Sequence, residues 1–153
     1  MNVTRDLNVD FYEAPDGPRL LIFGSMDADF RSLRSVFRKL SLEPGLEIEL
    51  KGASFIRMLG ELEISLRSTA DDRHRSSRST HGFRLSIERG SHHFTWTRTP
   101  EGWAYLVGLI DGVLKSDFPC HQYLASSPED DATVELSKGE VQCDEEMSGK
   151  SRE

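Results

Sequence analysis

The stretch that decides the fold is residues 83–115, FRLSIERGSHHFTWTRTPEGWAYLVGLIDGVLK. Apolar and polar residues alternate on both sides of Arg89-Gly90, which is the period-two pattern of a half-buried β-hairpin. Thr99-Pro100-Glu101 then begins a helix, because it supplies an N-cap, a proline at the first helical position and an acid in the first turn. The predicted inward faces are Phe83, Leu85 and Ile87, then His92, Phe94 and Trp96, and on the helix Trp103, Leu106, Val107, Leu109, Ile110, Val113 and Leu114.

The flanking segments predict elements of the same kinds. Residues 7–11 alternate, Pro15-Asp16-Gly17-Pro18 forms a turn, and the apolar run 20–23 predicts an interior strand covered on both faces. A second helix follows, with Phe30, Leu33, Val36, Phe37 and Leu40 within one arc. Further strands are predicted at 46–50, 62–66, 120–124 and 133–137.

Together these elements predict an α+β fold. We expect a mostly antiparallel sheet of about seven or eight strands with the two helices packed on one face. Phe23, Phe37, Leu85, Trp96, Trp103 and Ile110 are predicted to be largely buried.

The chain is expected to form one domain with a polar end. The sequence shows no internal repeat and no domain boundary, so residues 1–138 are predicted to be a single α+β domain and 139–153 an acidic, disordered tail. The Arg- and Ser-rich segment 68–80 is predicted to be a mobile loop because it has almost no aliphatic residue.

Composition narrows the function class. The 153 residues carry a net charge of −7, which is unfavourable for general nucleic-acid binding. Within that balance, residues 67–98 hold seven arginines against three acidic residues, and residues 128–153 hold nine acidic residues against three basic ones. No apolar run approaches the length of a membrane span, and the first residues lack a secretory pattern. With Cys120 and Cys143 expected to be free thiols, the sequence predicts a cytoplasmic protein.

Motifs for common enzyme classes are missing from the sequence. It contains no phosphate-binding loop, dinucleotide fingerprint, G-x-S-x-G elbow or H-E-x-x-H pair. No catalytic residue and no cofactor is predicted.

The histidines suggest at most a polar site. His92 and His93 are adjacent on a predicted strand, so their side chains point to opposite faces and cannot share a metal. The side chains of Cys120 and His121 diverge in the same way, so they do not fit a nucleophile with its base. A polar site near His93, His121 and Tyr123 is kept as the alternative, for an enzyme or metal-binding protein of unrecognised type. No metal is expected, because the ligand spacing fits no zinc motif.

Two stripes on the helices suggest partner binding instead. Arg31, Arg34 and Arg38 share one face of the first helix, either as a solvated face or as a surface for an anion, an acidic partner or the chain's own acidic tail. Ala104, Gly108 and Gly112 recur on the second helix, where each interior glycine costs about 1 kcal/mol relative to alanine. Something is therefore expected to approach that helix closely, either the chain's own sheet or loop, or a partner helix, including one from a second copy.

A resemblance to a known family supports the order of the elements. The run from Phe94 through Thr99-Pro100-Glu101-Gly102-Trp103, followed by His121-Gln122-Tyr123-Leu124 and Val134-Glu135-Leu136-Ser137, resembles a family of uncharacterised small bacterial cytosolic α+β proteins over about residues 7–137. The resemblance implies the order of the elements and no activity.

The sequence therefore predicts a non-enzymatic, cytosolic protein-binding module, with immunity-type or regulatory binding as its most concrete form. Its partner is expected to be another protein, with nucleic acid and membrane disfavoured and a homodimer allowed. The acidic net charge would steer a basic partner toward it.

Overall fold

The computed structural model describes residues 5–70, 82–88 and 91–140, with residues 82–88 described by their backbone alone. Most of the segment 68–80, the turn at Arg89-Gly90, Cys143 and the tail beyond residue 140 lie outside the described residues. So do the side chains of the predicted inward residues Phe83, Leu85 and Ile87. The strands are β1 (Leu7–Ala14), β2 (Gly17–Gly24), β3 (Glu47–Glu49), β4 (Ile56–Met58), β5 (Leu62–Ser68), β6 (Gly82–Glu88), β7 (Ser91–Arg98), β8 (Cys120–Ala125) and β9 (Thr133–Lys138); the helices are α1 (Phe30–Leu42) and α2 (Pro100–Lys115), and Leu50–Gly52 is a single 3₁₀ turn.

The strands form two mixed sheets. The first has the order β4-β1-β2-β9-β8 and the second the order β3-β5-β7-β6. The pairs β1–β4, β2–β9 and β5–β7 are parallel, while β1–β2, β3–β5, β6–β7 and β8–β9 are antiparallel. The α+β class is confirmed, but the prediction of one mostly antiparallel sheet is wrong, because consecutive hairpins also join through parallel pairs between distant strands.

The topology of the two halves of the chain is the same. Each half contains an antiparallel hairpin, a helix and then two antiparallel strands: β1-β2-α1-β3-β5 in one half and β6-β7-α2-β8-β9 in the other. The last strand of each half pairs in parallel with the hairpin of the other half, as β9 with β2 and β5 with β7. Each sheet is therefore built from both halves, and β4 is an addition to the first half.

The two helices begin at the residues that cap them. The side chain of Asp29 accepts a hydrogen bond from the backbone N–H of Ser32, and Thr99 does the same for Gly102, which confirms the predicted start of α2. The helices pack on each other, α1 also contacts β5, and α2 contacts both β7 and β8. Since α2 touches both sheets, the predicted packing of both helices on one face of a single sheet does not describe this arrangement.

A cluster of aromatic rings lies where the helices meet the second sheet. Phe37 of α1 packs against Trp96 of β7 and Trp103 of α2, with ring centroids 5.7 and 5.0 Å away, and the two indoles are 5.3 Å apart. These residues and Ile110 are buried, as predicted. Phe23 is only half-buried and is not part of the core cluster, because it shares the outer face of β2 with Arg19 and Leu21.

Among the described residues, no helix is long and apolar enough to cross a membrane.

Candidate functional site

Both stripes predicted on the helices meet at one ion pair. The guanidinium of Arg34 donates from Nε to Oδ1 of Asp111, and from Nη2 to Oδ2 at 3.4 Å. Asp111 lies beside Gly112 and one turn from Gly108 on α2. We call this surface the helix seam, defined by Arg31, Arg34, Arg38, Ala104, Gly108 and Gly112.

The charges of the seam are arranged around Asp111. The hydrogen bond from Arg34 holds the pKa of the Asp111 carboxyl below its usual value, and the nearby charges of Arg34, Lys115 and Arg38 act in the same direction. The same hydrogen bond raises the pKa of Arg34. Arg31 and Arg38 are exposed, so their guanidinium groups face solvent while Arg34 is engaged within the chain.

The glycines of the seam lie against open space. A Cβ atom built on Gly108 or Gly112 would meet nothing within 4 Å, and Ala104 is exposed on the same stripe. Packing against the chain's own sheet or loop, one of the two explanations for these glycines, is therefore absent from the described part of the chain. Tyr105, beside the stripe, is 63% exposed.

The alternative polar site is brought together only in part. His121 and Tyr123 both point to the outer face of β8, with their rings 5.6 Å apart. His93 lies on β7 in the second sheet, whereas His121 and Tyr123 lie on β8 in the first. The divergence predicted for Cys120 and His121 is present, since Cys120 is half-buried and packs against the core while His121 is exposed.

His93 has its own polar neighbours on the outer face of the second sheet. Its Nε2 lies 3.3 Å from the hydroxyl of Ser65, and its Nδ1 lies 3.6 Å from a carboxylate oxygen of Glu63. This order of acid, imidazole and hydroxyl resembles a nucleophilic triad. Ser65 is only 2% exposed, however, and its hydroxyl donates to Glu49 instead, so it is not placed to attack a substrate.

Charged residues around His121 were not predicted from the sequence. Nδ1 of His121 lies 3.0 and 3.2 Å from the two carboxylate oxygens of Glu140, and the hydroxyl of Ser137 donates to Glu140 at 3.2 Å. Glu135, opposite Tyr123 in the strand register, accepts from Arg19 at 2.6 Å. The signal in the sequence was Gly139, a glycine directly after a strand and before an acidic residue.

Lys138 is a second unpredicted feature. It is 6% exposed, and its ammonium donates to the carbonyls of Val113, Leu114 and Ser116 at 3.0, 3.4 and 2.8 Å. These carbonyl groups lie at the end of α2, where the last carbonyls of a helix lack intrahelical partners, and among them Val113 also accepts from the backbone N–H of Ser116. Lys138 therefore ties the last strand of the chain to the end of the second helix and has a structural role.

Comparison of the chain with protein-family models, with curated proteins and with solved structures gave no match.

Proposed function

We propose that this chain is a non-enzymatic, cytosolic bacterial protein-binding module, of the immunity or regulatory type, and that its partner docks on the helix seam. The observation that carries the proposal is the open space above Gly108 and Gly112. Glycine inside a helix costs about 1 kcal/mol relative to alanine, and no described part of this chain uses the room that the glycines leave.

The partner surface that fits the seam is a helix. A stripe of small residues at four-residue spacing allows a second backbone to approach closely along the axis of α2. Tyr105 lies exposed beside the stripe, and an amphipathic ring of this kind is enriched where proteins bind each other.

The partner helix is expected to carry acidic side chains. Arg31 and Arg38 are exposed on the same stripe of α1 as Arg34, and arginine pairs well with carboxylates. Since the seam holds three arginines and its ion pair uses one acidic residue, Asp111, the charge of this group is net positive. The seam thus favours contact with acidic side chains of the partner. The net charge of the whole chain, −7, would by contrast attract a basic protein from a distance.

The enzyme alternative has less support. His93 lies in the second sheet, whereas His121 and Tyr123 lie in the first. Ser65, which neighbours His93, is buried, and its hydroxyl donates a hydrogen bond to Glu49. The observations in the second sheet do not favour a catalytic site.

The test is site-specific photo-crosslinking in cells of the source organism. Tyr105 is replaced with the photo-reactive residue p-benzoylphenylalanine, and in a matched strain the 76% exposed Phe118 is replaced instead. We expect a crosslinked protein from position 105 and none from position 118, with mass spectrometry to identify it.

Two substitutions then locate the contact. Gly108→Leu should abolish the crosslink because its side chain fills the open stripe, whereas Glu61→Leu, on an exposed turn, should leave it unchanged. The charge reversal of Arg31 and Arg38 to glutamate should weaken it. A crosslink to a second copy of this chain would identify the partner as that copy and the assembly as a homodimer. Equal crosslinking from position 118, or an unchanged crosslink in Gly108→Leu, would reject the seam as the docking surface.

A further inference from the structure

His121, Glu135 and Glu140 bring three metal-binding side chains to one point on the outer face of the first sheet. Their ligand atoms, one from each residue, all lie within 4.8 Å of one another. An imidazole nitrogen and two carboxylate oxygens are ligands that zinc and related divalent ions accept. Ligand atoms arranged tetrahedrally around zinc at about 2.1 Å are about 3.4 Å apart, so small side-chain rotations would close the set.

Gly139 places Glu140 in this set. Side chains alternate along β9, so Ser137 faces outward and Lys138 inward, and an extended chain would turn Glu140 inward as well. The φ of Gly139 is +75°, a left-handed conformation that favours glycine, and it returns Glu140 to the outer face beside His121. A Cβ at position 139 would also lie only 2.7 Å from Sδ of Met26, which makes glycine the fitting residue there.

Neighbouring side chains hold the three ligands in place. Ser137 donates to Glu140, and Arg19 donates to Oε1 of Glu135 while its other Nη atom donates to Asp16 at 2.8 Å. The ring of Tyr123 packs edge-on against the imidazole of His121, whose Nδ1 faces Glu140. Hydrogen bonds and packing of this kind orient metal ligands in protein sites.

The charge of the group also suits a cation. Asp16, Glu135 and Glu140 carry three negative charges and Arg19 one positive charge. With the imidazole neutral, the group has an excess of two negative charges, which a divalent ion would balance.

We propose that His121, Glu135 and Glu140 form a binding site for a divalent transition-metal ion of the zinc type, with its remaining coordination positions open to solvent. The sequence predicts no metal, because its ligand spacing fits no zinc motif and adjacent histidine and cysteine pairs diverge on a strand. This site needs neither pair, since it takes one histidine from β8 and two carboxylates from β9 and the residues that follow it.

The test is calorimetric titration of the untagged full-length chain with zinc chloride. We expect one zinc ion per chain, with the affinity lowered by at least about 10-fold in His121→Ala and in Glu140→Gln. The matched controls are His93→Ala and Glu63→Gln, which remove another histidine–glutamate pair between neighbouring strands and should leave the affinity unchanged. Circular dichroism checks that each variant is folded, and the NMR signals of the His121 ring should shift on zinc addition.

Several results would overturn this proposal. They are no saturable binding to the wild-type chain, equal binding in His121→Ala and Glu140→Gln, or loss of binding in His93→Ala instead. Each would leave the helix seam unaffected, because the metal site lies on β8, β9 and the residues after β9, and the crosslinking experiment does not use it.

Discussion

Arg34 of α1 and Asp111 of α2 form an ion pair across the line where the two helices pack. The pair joins a stripe of arginines on one helix to a stripe of small residues on the other, 77 positions apart in the sequence. The pair holds the two helices together at the helix seam. The hydrogen bond from Arg34 also lowers the pKa of the Asp111 carboxyl.

The first prediction concerns acid unfolding. The pKa of Asp111 in the folded chain is below its ordinary value of 3.8, so the stability that ionised Asp111 contributes is fully present above that value. It is lost as the pH falls through the lower, folded pKa, where protonation breaks the bond with Arg34. Urea midpoints of wild type and Asp111→Asn should differ above about pH 5 and converge in strong acid. Asp117→Asn, on an exposed bend, is the control, and a difference that grows toward low pH would contradict the assignment.

The second prediction concerns the glycines of α2. Gly108→Ala and Gly112→Ala should each stabilise the chain by about 0.5–1 kcal/mol, because alanine favours the helix and the added methyl meets open space. Gly139→Ala is the contrasting control and should destabilise the chain, since its φ is +75° and Met26 is in the way. Chemical denaturation measures both. Destabilisation by either helix substitution would mean that the stripe packs against part of the chain outside the described residues.

The third prediction concerns the indole of Trp103. It is fully buried, packs against Phe37 and Trp96, and donates from Nε1 to the carbonyl of Arg67 at 2.8 Å. Trp103→Ala should therefore lower the free energy of unfolding by about 3–5 kcal/mol. Tyr105→Ala, two positions along the same helix but exposed, should change it by less than about 0.5 kcal/mol. A loss below about 1 kcal/mol in Trp103→Ala would count against its place in the core.

The fourth prediction concerns Lys138. Lys138→Met keeps an unbranched side chain, one atom shorter, but removes the donor to Val113, Leu114 and Ser116. Hydrogen bonds to a charged group contribute about 1.5–3 kcal/mol, so the free energy of unfolding should fall by about that amount. Lys115→Met, on the exposed end of α2, should have a smaller effect, below about 1 kcal/mol. Equal losses in the two variants would show that the buried contacts of Lys138 contribute little.

The local elements were predictable because their signals are local. Alternation around residues 62–66 and 133–137 predicted β5 and β9, and Thr99-Pro100 predicted where α2 begins. The aromatic residues Phe37, Trp96 and Trp103 were placed in the core because a chain of this size buries its largest apolar side chains. The sequence also marked both stripes of the helix seam, since helical spacing puts residues three and four apart on one face.

The candidate metal site was only half predictable. His121 and Tyr123 stand two residues apart on one strand, and their shared face follows from strand alternation. Glu135 joins them through the register of β8 with β9, and Glu140 through the backbone turn at Gly139. Neither the register nor the turn can be read from residue types alone.

What the sequence determined by itself is therefore both helices and the described strands other than β4, their order, and the apolar face of most of them, because these depend on periodicity and capping within short windows. What only the tertiary structure decided is the pairing of strands across the chain: β9 with β2, β5 with β7, and hence two mixed sheets in place of one. One antiparallel sheet and two mixed sheets would both bury the same apolar faces. Contacts between residues that are distant in the sequence therefore determine which of the two forms. The meeting of Arg34 with Asp111, and of His121 with Glu140, follows from that choice.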